Sequence, residues 1–266
     1  MSERDIDDPG YWDKIVTSYE EVAHPFTAHF AELAVSRLDI GSSTRVLDVA
    51  TGTGAAALAA VRAGADVLAV DFSAEMVRRV LGHGLSRLDA RQMNGQALDL
   101  PDASFDAVLS IFGVILFPDW RAGLLEMARV TRPGGSAAVA VWKDEQGAAV
   151  HLLLSQAYKT LYPERALPAP FEGMAELSDP HRLCMAMLHA GFRDPVVEEV
   201  THGFQLKVAA LKDADQVFGQ LPLWKKLEPN ERAAVLGEIR IRAERERVAD
   251  SLPIPSTALI ATARRT

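Results

Sequence analysis

Asp48 stands inside an apolar run, Val46-Leu47-Asp48-Val49, and four residues later the chain breaks into Gly52-Thr53-Gly54. Glycines at a strand-to-helix turn let backbone amides approach a ligand closely. A helix beginning at Ala55 would aim its positive end at the same loop. A carboxylate placed there repels a pyrophosphate and attracts an ammonium or sulfonium group. The stretch from Gly52 to Ala57 also satisfies the G-x-G-x-x-A pattern of dinucleotide sites, and Asp71 lies near the distance expected of an acid on a ribose hydroxyl. The motif by itself leaves both ligands open.

Positioning such a loop takes a parallel sheet, and between Thr44 and Trp142 short apolar runs alternate with helix-period segments. Strands are expected at Arg45 to Val49, Asp66 to Asp71, Ala90 to Met93, Phe105 to Ile111 and Ser136 to Trp142, their near-continuous apolar character marking a sheet covered on both faces. Helices are expected at Ala55 to Ala63, at Ala74 to Arg87 with Ser73 as N-cap, and at Arg121 to Thr131, after which Pro133, Gly134 and Gly135 turn the chain into the fifth strand. Tyr11 to Leu38 reads as an amphipathic helical region ahead of the sheet. Beyond Trp142 come a helix from about Gly147 to Tyr162, a four-proline loop over 163–180 of the kind that forms lids, a helix at Arg182 to Ala190 and a strand at Arg193 to Val200. Helical pieces near Lys212 to Gln220 and Pro229 to Val248 precede a final strand over Ser256 to Arg265. The expected organisation is an N-terminal lid (1–43), a core (44–142), a cap helix with its Pro-rich loop (143–180), and the C-terminal part of the core (181–266) carrying a helical insertion over 207–250.

Two further segments narrow the ligand. MNGQALDLPDASFDAVLS (Met93 to Ser110) places a polar pair before an L-x-L-P turn and a strand opening, and EMARVTRPGGSAAVAVW (Glu126 to Trp142) joins a helix, a double-glycine turn and a strong strand. With the glycine loop, and in this order, the chain resembles the class I S-adenosylmethionine-dependent methyltransferases, and among them the ubiquinone and menaquinone biosynthesis enzymes. The resemblance covers about half the chain. It implies an α/β fold with a Rossmann-like seven-stranded sheet, the last strand antiparallel, helices on both faces and helical cap insertions. It also implies S-adenosylmethionine as cofactor: Ala50, Thr51, Gly52 and Gly54 under its methionine part, Asp48 near its amino end, Asp71 on the ribose hydroxyls, and Phe72 and Met76 against the adenine. Gln96 and Ala97 would meet the adenine edge, Ser110 would lie beside the methionine moiety, and Tyr19 would come from the lid. Two positions depart from the family pattern. Ala50 stands where many members have glycine, and Gln96 where an aspartate is common, which removes a charge-assisted bond.

For methyl transfer the protein must align acceptor and methyl group and exclude water. A hydroxyl or acidic carbon acceptor can also call for a base, for which histidine is suited. His151, on the helix past the fifth strand, is the first candidate; His24 in the lid is the second and His202 the third. Phe112 and Phe117 either wall an apolar acceptor or belong to the core.

The formal charge of −8 argues against a nucleic-acid partner. One cysteine, Cys184, excludes an internal disulfide, and no Cys/His spacing suggests a metal. The acidic start MSERDIDDPG reads as neither signal nor transit peptide, and no run is long enough to span a bilayer. The expectation is a cytoplasmic enzyme, with a homodimer left open, that methylates an oxygen or carbon of a small, partly apolar molecule such as a quinone precursor or secondary metabolite. The rivals are a protein of the same fold that binds the cofactor while catalysing a non-methylating rearrangement, and an NAD-dependent oxidoreductase.

Overall fold

β1 (Arg45–Val49), β2 (Asp66–Asp71) and β4 (Phe105–Ile111) are largely buried along their length, as strands covered on both faces are. With β3 (Leu88–Gln92), β5 (Thr131–Trp142), β6 (Phe192–Lys207) and β7 (Ser251–Arg265) they form a seven-stranded sheet ordered β3-β2-β1-β4-β5-β7-β6. β1 to β5 pair in parallel and β7 runs antiparallel to β5. The chain reverses direction across the sheet between β1 and β4, so the carboxyl ends of these two strands flank the crevice where open α/β sheets bind ligands. The structure is a computed structural model describing residues 5–266; Met1 to Arg4, within the polar start read above, lie outside the described residues.

The lid is α1 (Pro9–Ser18), a π-helical turn (Tyr19–Ala23) and α2 (His24–Ser36). α3 (Ala55–Arg62) follows β1, and α4 (Ala74–Leu81) follows β2 with Ser73 as its N-cap, the Ser73 hydroxyl accepting from the Met76 N–H at 3.2 Å. α4 ends six residues before the expected Arg87, because Gly82 closes its last turn and Gly84 takes φ +62°. β3 starts two residues earlier than expected, pairs with β2 from Leu88 and is largely exposed, so its polar sequence LDARQ hides its register. α5 (Trp120–Val130) leads into β5, where Phe105 pairs with Thr131 and Ala107 with Ser136. Pro133, Gly134 and Gly135 thus bulge out opposite Asp106. A Cβ on Gly135 would lie 2.8 Å from the Asp106 carbonyl oxygen, which excludes any side chain there.

Clustering of contacts divides the chain into two units. The first holds the chain up to Lys143, Phe171–Val200 and Ala258–Thr266. It includes α7 (Glu172–Leu177), which folds where a loop was expected, and α8 (Pro180–His189). A Cβ on Gly173 would lie 2.6 Å from the Ile115 carbonyl oxygen, so this glycine lets α7 press directly on the turn after β4. The second unit, Asp144–Pro170 and Thr201–Thr257, contains α6 (Ala149–Leu161), α9 (Ala214–Phe218), α10 (Pro222–Lys226) and α11 (Pro229–Glu246). α11 packs along α6, and the Arg242 guanidinium donates to Gln156 Oε1 at 2.7 Å. β7 begins five residues before the expected Ser256. Pro253 and Pro255 fall ahead of the Ala258–Arg264 stretch that registers with β5, so neither costs that ladder a donor.

Candidate functional site

At the end of β1 the backbone turns through a left-handed series: Ala50 at φ +56°, Gly52 at +54° and Gly54 at +93°. For a residue with a side chain this conformation costs about 1–2 kcal/mol, and Ala50 bears it. Phe112, just past β4, does the same at φ +61°. Strained residues at both strand ends that flank the crevice are the mark of a functional site. The two turns touch, since a Cβ on Gly113 would lie 2.5 Å from the Ala50 Cβ. Alanine at 50 therefore requires glycine at 113.

Asp48 is 1% exposed, and its Oδ2 accepts from the Thr51 hydroxyl at 2.6 Å and the Ala57 N–H at 2.9 Å, tying β1 to the first turn of α3. Burial pushes its pKa up to about 7 against the pull of those bonds. Asp71 Oδ2 accepts from the Gly52 N–H and its Oδ1 from the Ser73 N–H, both at 2.9 Å, and burial pushes this group up to about 6. Each carboxylate brings about four lone-pair sites, so both retain capacity for a ligand. Between Asp48 and α3 lies a cavity of about 20 Å³, bounded by Asp48, Ala50, Thr51 and Thr53, by Ala55 and Ala56 of α3, by Tyr19 and Thr27 of the lid, and by Ile111. That is room for a single water. A larger ligand enters only when the lid moves.

The lid is fastened to the core at several points. The Tyr19 ring lies over Gly52, 3.5 Å from where a Cβ would stand, and burial, then Asp71 and Asp48, push its hydroxyl up to about 12. His24 Nδ1 is 2.7 Å from Thr53 Oγ1, and burial lowers the His24 pKa. Asp13 Oδ1 accepts from the Ser73 hydroxyl at 2.5 Å and the Glu75 N–H at 3.1 Å, so α1 caps α4. Arg79 of α4 reaches back to Glu20 and Thr17. Above β4 and β5, Phe112 stacks on Trp142 with centroids 3.7 Å apart, and Phe26 of α2 lies parallel to the same indole at 5.6 Å.

The structure brings Tyr19, His24, Asp48, Ala50, Thr51, Gly52, Gly54 and Asp71 together around the loop. Met76 is buried in the first turn of α4, beside half-buried Phe72. Gln96 Oε1 accepts from the Asp119 N–H at 2.8 Å while its Nε2 donates to Asn94, and Ala97 is exposed. Ser110 Oγ accepts from the Val114 N–H at 3.2 Å, and it is Ile111, not Ser110, that bounds the cavity. Phe112 is buried in the core, and Phe117 is half-buried, its ring wedged where Cβ atoms on Gly95 and Gly123 would fall 2.6 Å and 2.5 Å away. His151 and His202 belong to the second unit. His151 is exposed on the first turn of α6, its ring without a hydrogen-bond partner among the described residues; the protein packed around it lowers its pKa, an effect that contact with water limits. Thr53 and Thr27 also line the cavity, beyond the residues expected there. Thr53 is 1% exposed between the two glycines, a role that its residue type alone does not announce.

Residues 47–139 match the family described as a methyltransferase domain. The demethylmenaquinone methyltransferase of Corynebacterium urealyticum is 38% identical over 138 residues, covering 50% of this chain and 54% of that protein. An uncharacterized protein of Mycobacterium tuberculosis is 36% identical over 130 residues, 48% of this chain and 47% of its own. The chain thus spans about half the length of the curated relatives it matches. Among solved structures, the Haemonchus contortus phosphoethanolamine N-methyltransferase 2, in complex with phosphomonomethylethanolamine and S-adenosylhomocysteine, superposes with a TM-score of 0.56 at 18% identity, covering 100% of this chain and 61% of that one. The [4+2]-cyclase SpnF gives 0.52 at 19% identity over 90% and 81%. These structural likenesses speak for the fold. Together with the glycine loop, the buried acids and the sheet order, the match over 47–139 identifies that segment as a methyltransferase domain.

Proposed function

We propose that the protein transfers a methyl group from S-adenosylmethionine to an oxygen or carbon atom of a small, partly apolar molecule, a quinone precursor or a secondary metabolite. The observation that carries this reading is a buried acid, Asp48, bounding a cavity at the N-terminus of α3 beneath a glycine loop, within the segment that matches methyltransferase domains. The demethylmenaquinone methyltransferases among the relatives support the quinone class. The residues present fit the cofactor. Gly52 leaves the loop open except for the movable Tyr19 ring, and an acid stands at the end of each of β1 and β2.

In this reading Asp48 faces the ammonium of the methionine part, and Ala55 and Ala56 present free helix N–H groups to its carboxylate. Asp71 holds the ribose hydroxyls, Phe72 and Met76 lie toward the adenine, and Gln96 and Ala97 meet its edge. Ser110 shapes the β4 end. When bound, S-adenosylmethionine supplies a methyl group on a sulfonium that leaves readily. The protein's part is to hold the acceptor in line and keep water out, and the lid does the latter. His24 is hydrogen-bonded to Thr53, and His151, should the acceptor need a base, is the candidate to test first.

Calorimetric titration with S-adenosylhomocysteine beside NAD tests the reading. One-to-one binding of the first and silence with the second is expected, and Asp71→Ala should weaken binding by about 1–3 kcal/mol. Binding of NAD alone, or an unchanged Asp71→Ala, would overturn it. His151→Ala should lower turnover while leaving S-adenosylhomocysteine affinity intact.

A further inference from the structure

The π turn of the lid has a geometric consequence for the two residues at its ends. Its defining bond runs from the His24 N–H to the Tyr19 carbonyl, an i to i+5 closure. On a regular α-helix, residues five apart point about 140° away from each other. The wider turn instead lets Tyr19 and His24 meet neighbouring residues of the glycine loop, the Tyr19 ring against Gly52 and His24 Nδ1 against the Thr53 hydroxyl at 2.7 Å. Thr53 in turn bounds the cavity that holds Asp48 and the free end of α3.

We propose that His24 is a positioning residue that, carried by the π turn, fixes the Thr53 hydroxyl toward the charged amino-acid end of the ligand, so that retention of that end depends on lid closure. The inference rests on the cofactor reading above. If Nδ1 donates to Thr53, the hydroxyl hydrogen is left for a carboxylate. If Nδ1 accepts, an oxygen lone pair is left for an ammonium. In either tautomer Thr53 presents one polarity instead of rotating freely, and His24 acts on the ligand through Thr53 alone.

The test is titration of the whole protein and its variants with two ligands: S-adenosylhomocysteine, and 5′-methylthioadenosine, which lacks the amino-acid end. His24→Ala and Thr53→Val should each weaken S-adenosylhomocysteine about tenfold, the loss of one charged hydrogen bond. The double variant should be no weaker than the worse single one, because the two residues form one device. His24→Asn, whose side-chain amide places a polar atom where Nδ1 stands, should restore affinity to within about threefold, a residue of the hydrogen bond's geometry. Methylthioadenosine should bind all variants alike. Equal losses for both ligands would mean that His24 only stabilises the lid, and additive losses would mean that Thr53 and His24 act separately; either result overturns the proposal. Failure of the unmodified protein to bind S-adenosylhomocysteine would instead strike the cofactor reading itself.

Discussion

Asp48 and Asp71 are carboxylates held at pKa values of about 7 and about 6 because the fold removes them from water. A carboxylate raised in the native state binds a proton there that the unfolded chain has already released above pH 4. Stability is therefore greatest on the acidic side and falls as pH rises through the folded pKa. Between pH 5 and pH 8 these two acids together should cost the protein on the order of 4 kcal/mol, a loss that His24 and His151, whose lowered pKa values favour the native state as pH rises, partly offset in a denaturant titration. Asp48→Asn, which keeps an oxygen for Thr51 and Ala57, should remove most of that slope; an unchanged slope would mean that Asp48 is not the buried acid responsible. The Ala50 and Gly113 pair makes a second test. Gly113→Ala should cost about 2 kcal/mol by overpacking, and adding Ala50→Gly should recover most of it, since the clash is methyl against methyl. Asp48, Gly52 and Asp71 were legible because their side-chain types are odd for their surroundings. Thr53 and Thr27 were not, because an ordinary threonine reveals its role only when the fold gives it a partner.

At the scale of elements, β1, β2 and β4 are legible residue for residue, since burial on both faces leaves unbroken apolar runs. The edge strand β3 and the short helix α7 are not. One is polar because it is half in water, and the other is set by the close approach of Gly173 to the turn at Ile115. The clasp between lid and core was equally hidden, being made by residues some sixty positions apart, Asp13 with Ser73 and Glu75. Hydrogen bonds from Ser73 and then the Glu75 N–H hold the Asp13 carboxyl below the usual range. Its contribution is complete above the unfolded pKa and disappears as pH falls through the folded one. Asp13→Ala removes a cap, which is worth about 1 kcal/mol. Hydrogen exchange should show the amides of α1 and the first turn of α4 opening faster in the variant, while those of β1 and β4 remain protected.

For the whole molecule, the sheet order and the single antiparallel partner of β5 follow the family pattern that the motif order announced, although the register of β6 and β7 beyond the β5 ladder could not be read through two prolines. A ligand that binds only the native state stabilises it by mass action. S-adenosylhomocysteine at one hundred times its dissociation constant should add about 2.7 kcal/mol and raise the melting temperature by roughly 5 °C. An unshifted melting curve would argue against a working site. The aromatic stack above β4 and β5 offers a way to watch the same event optically. Trp142 lies against Phe112 of the core and parallel to Phe26 of the lid. When α2 lifts, one face of the indole exchanges an aromatic ring for water, and its fluorescence should shift to the red. With Trp12, Trp120 and Trp224 replaced by Phe, Trp142 becomes a built-in emission gauge of lid opening, read in a stopped-flow cuvette without any label.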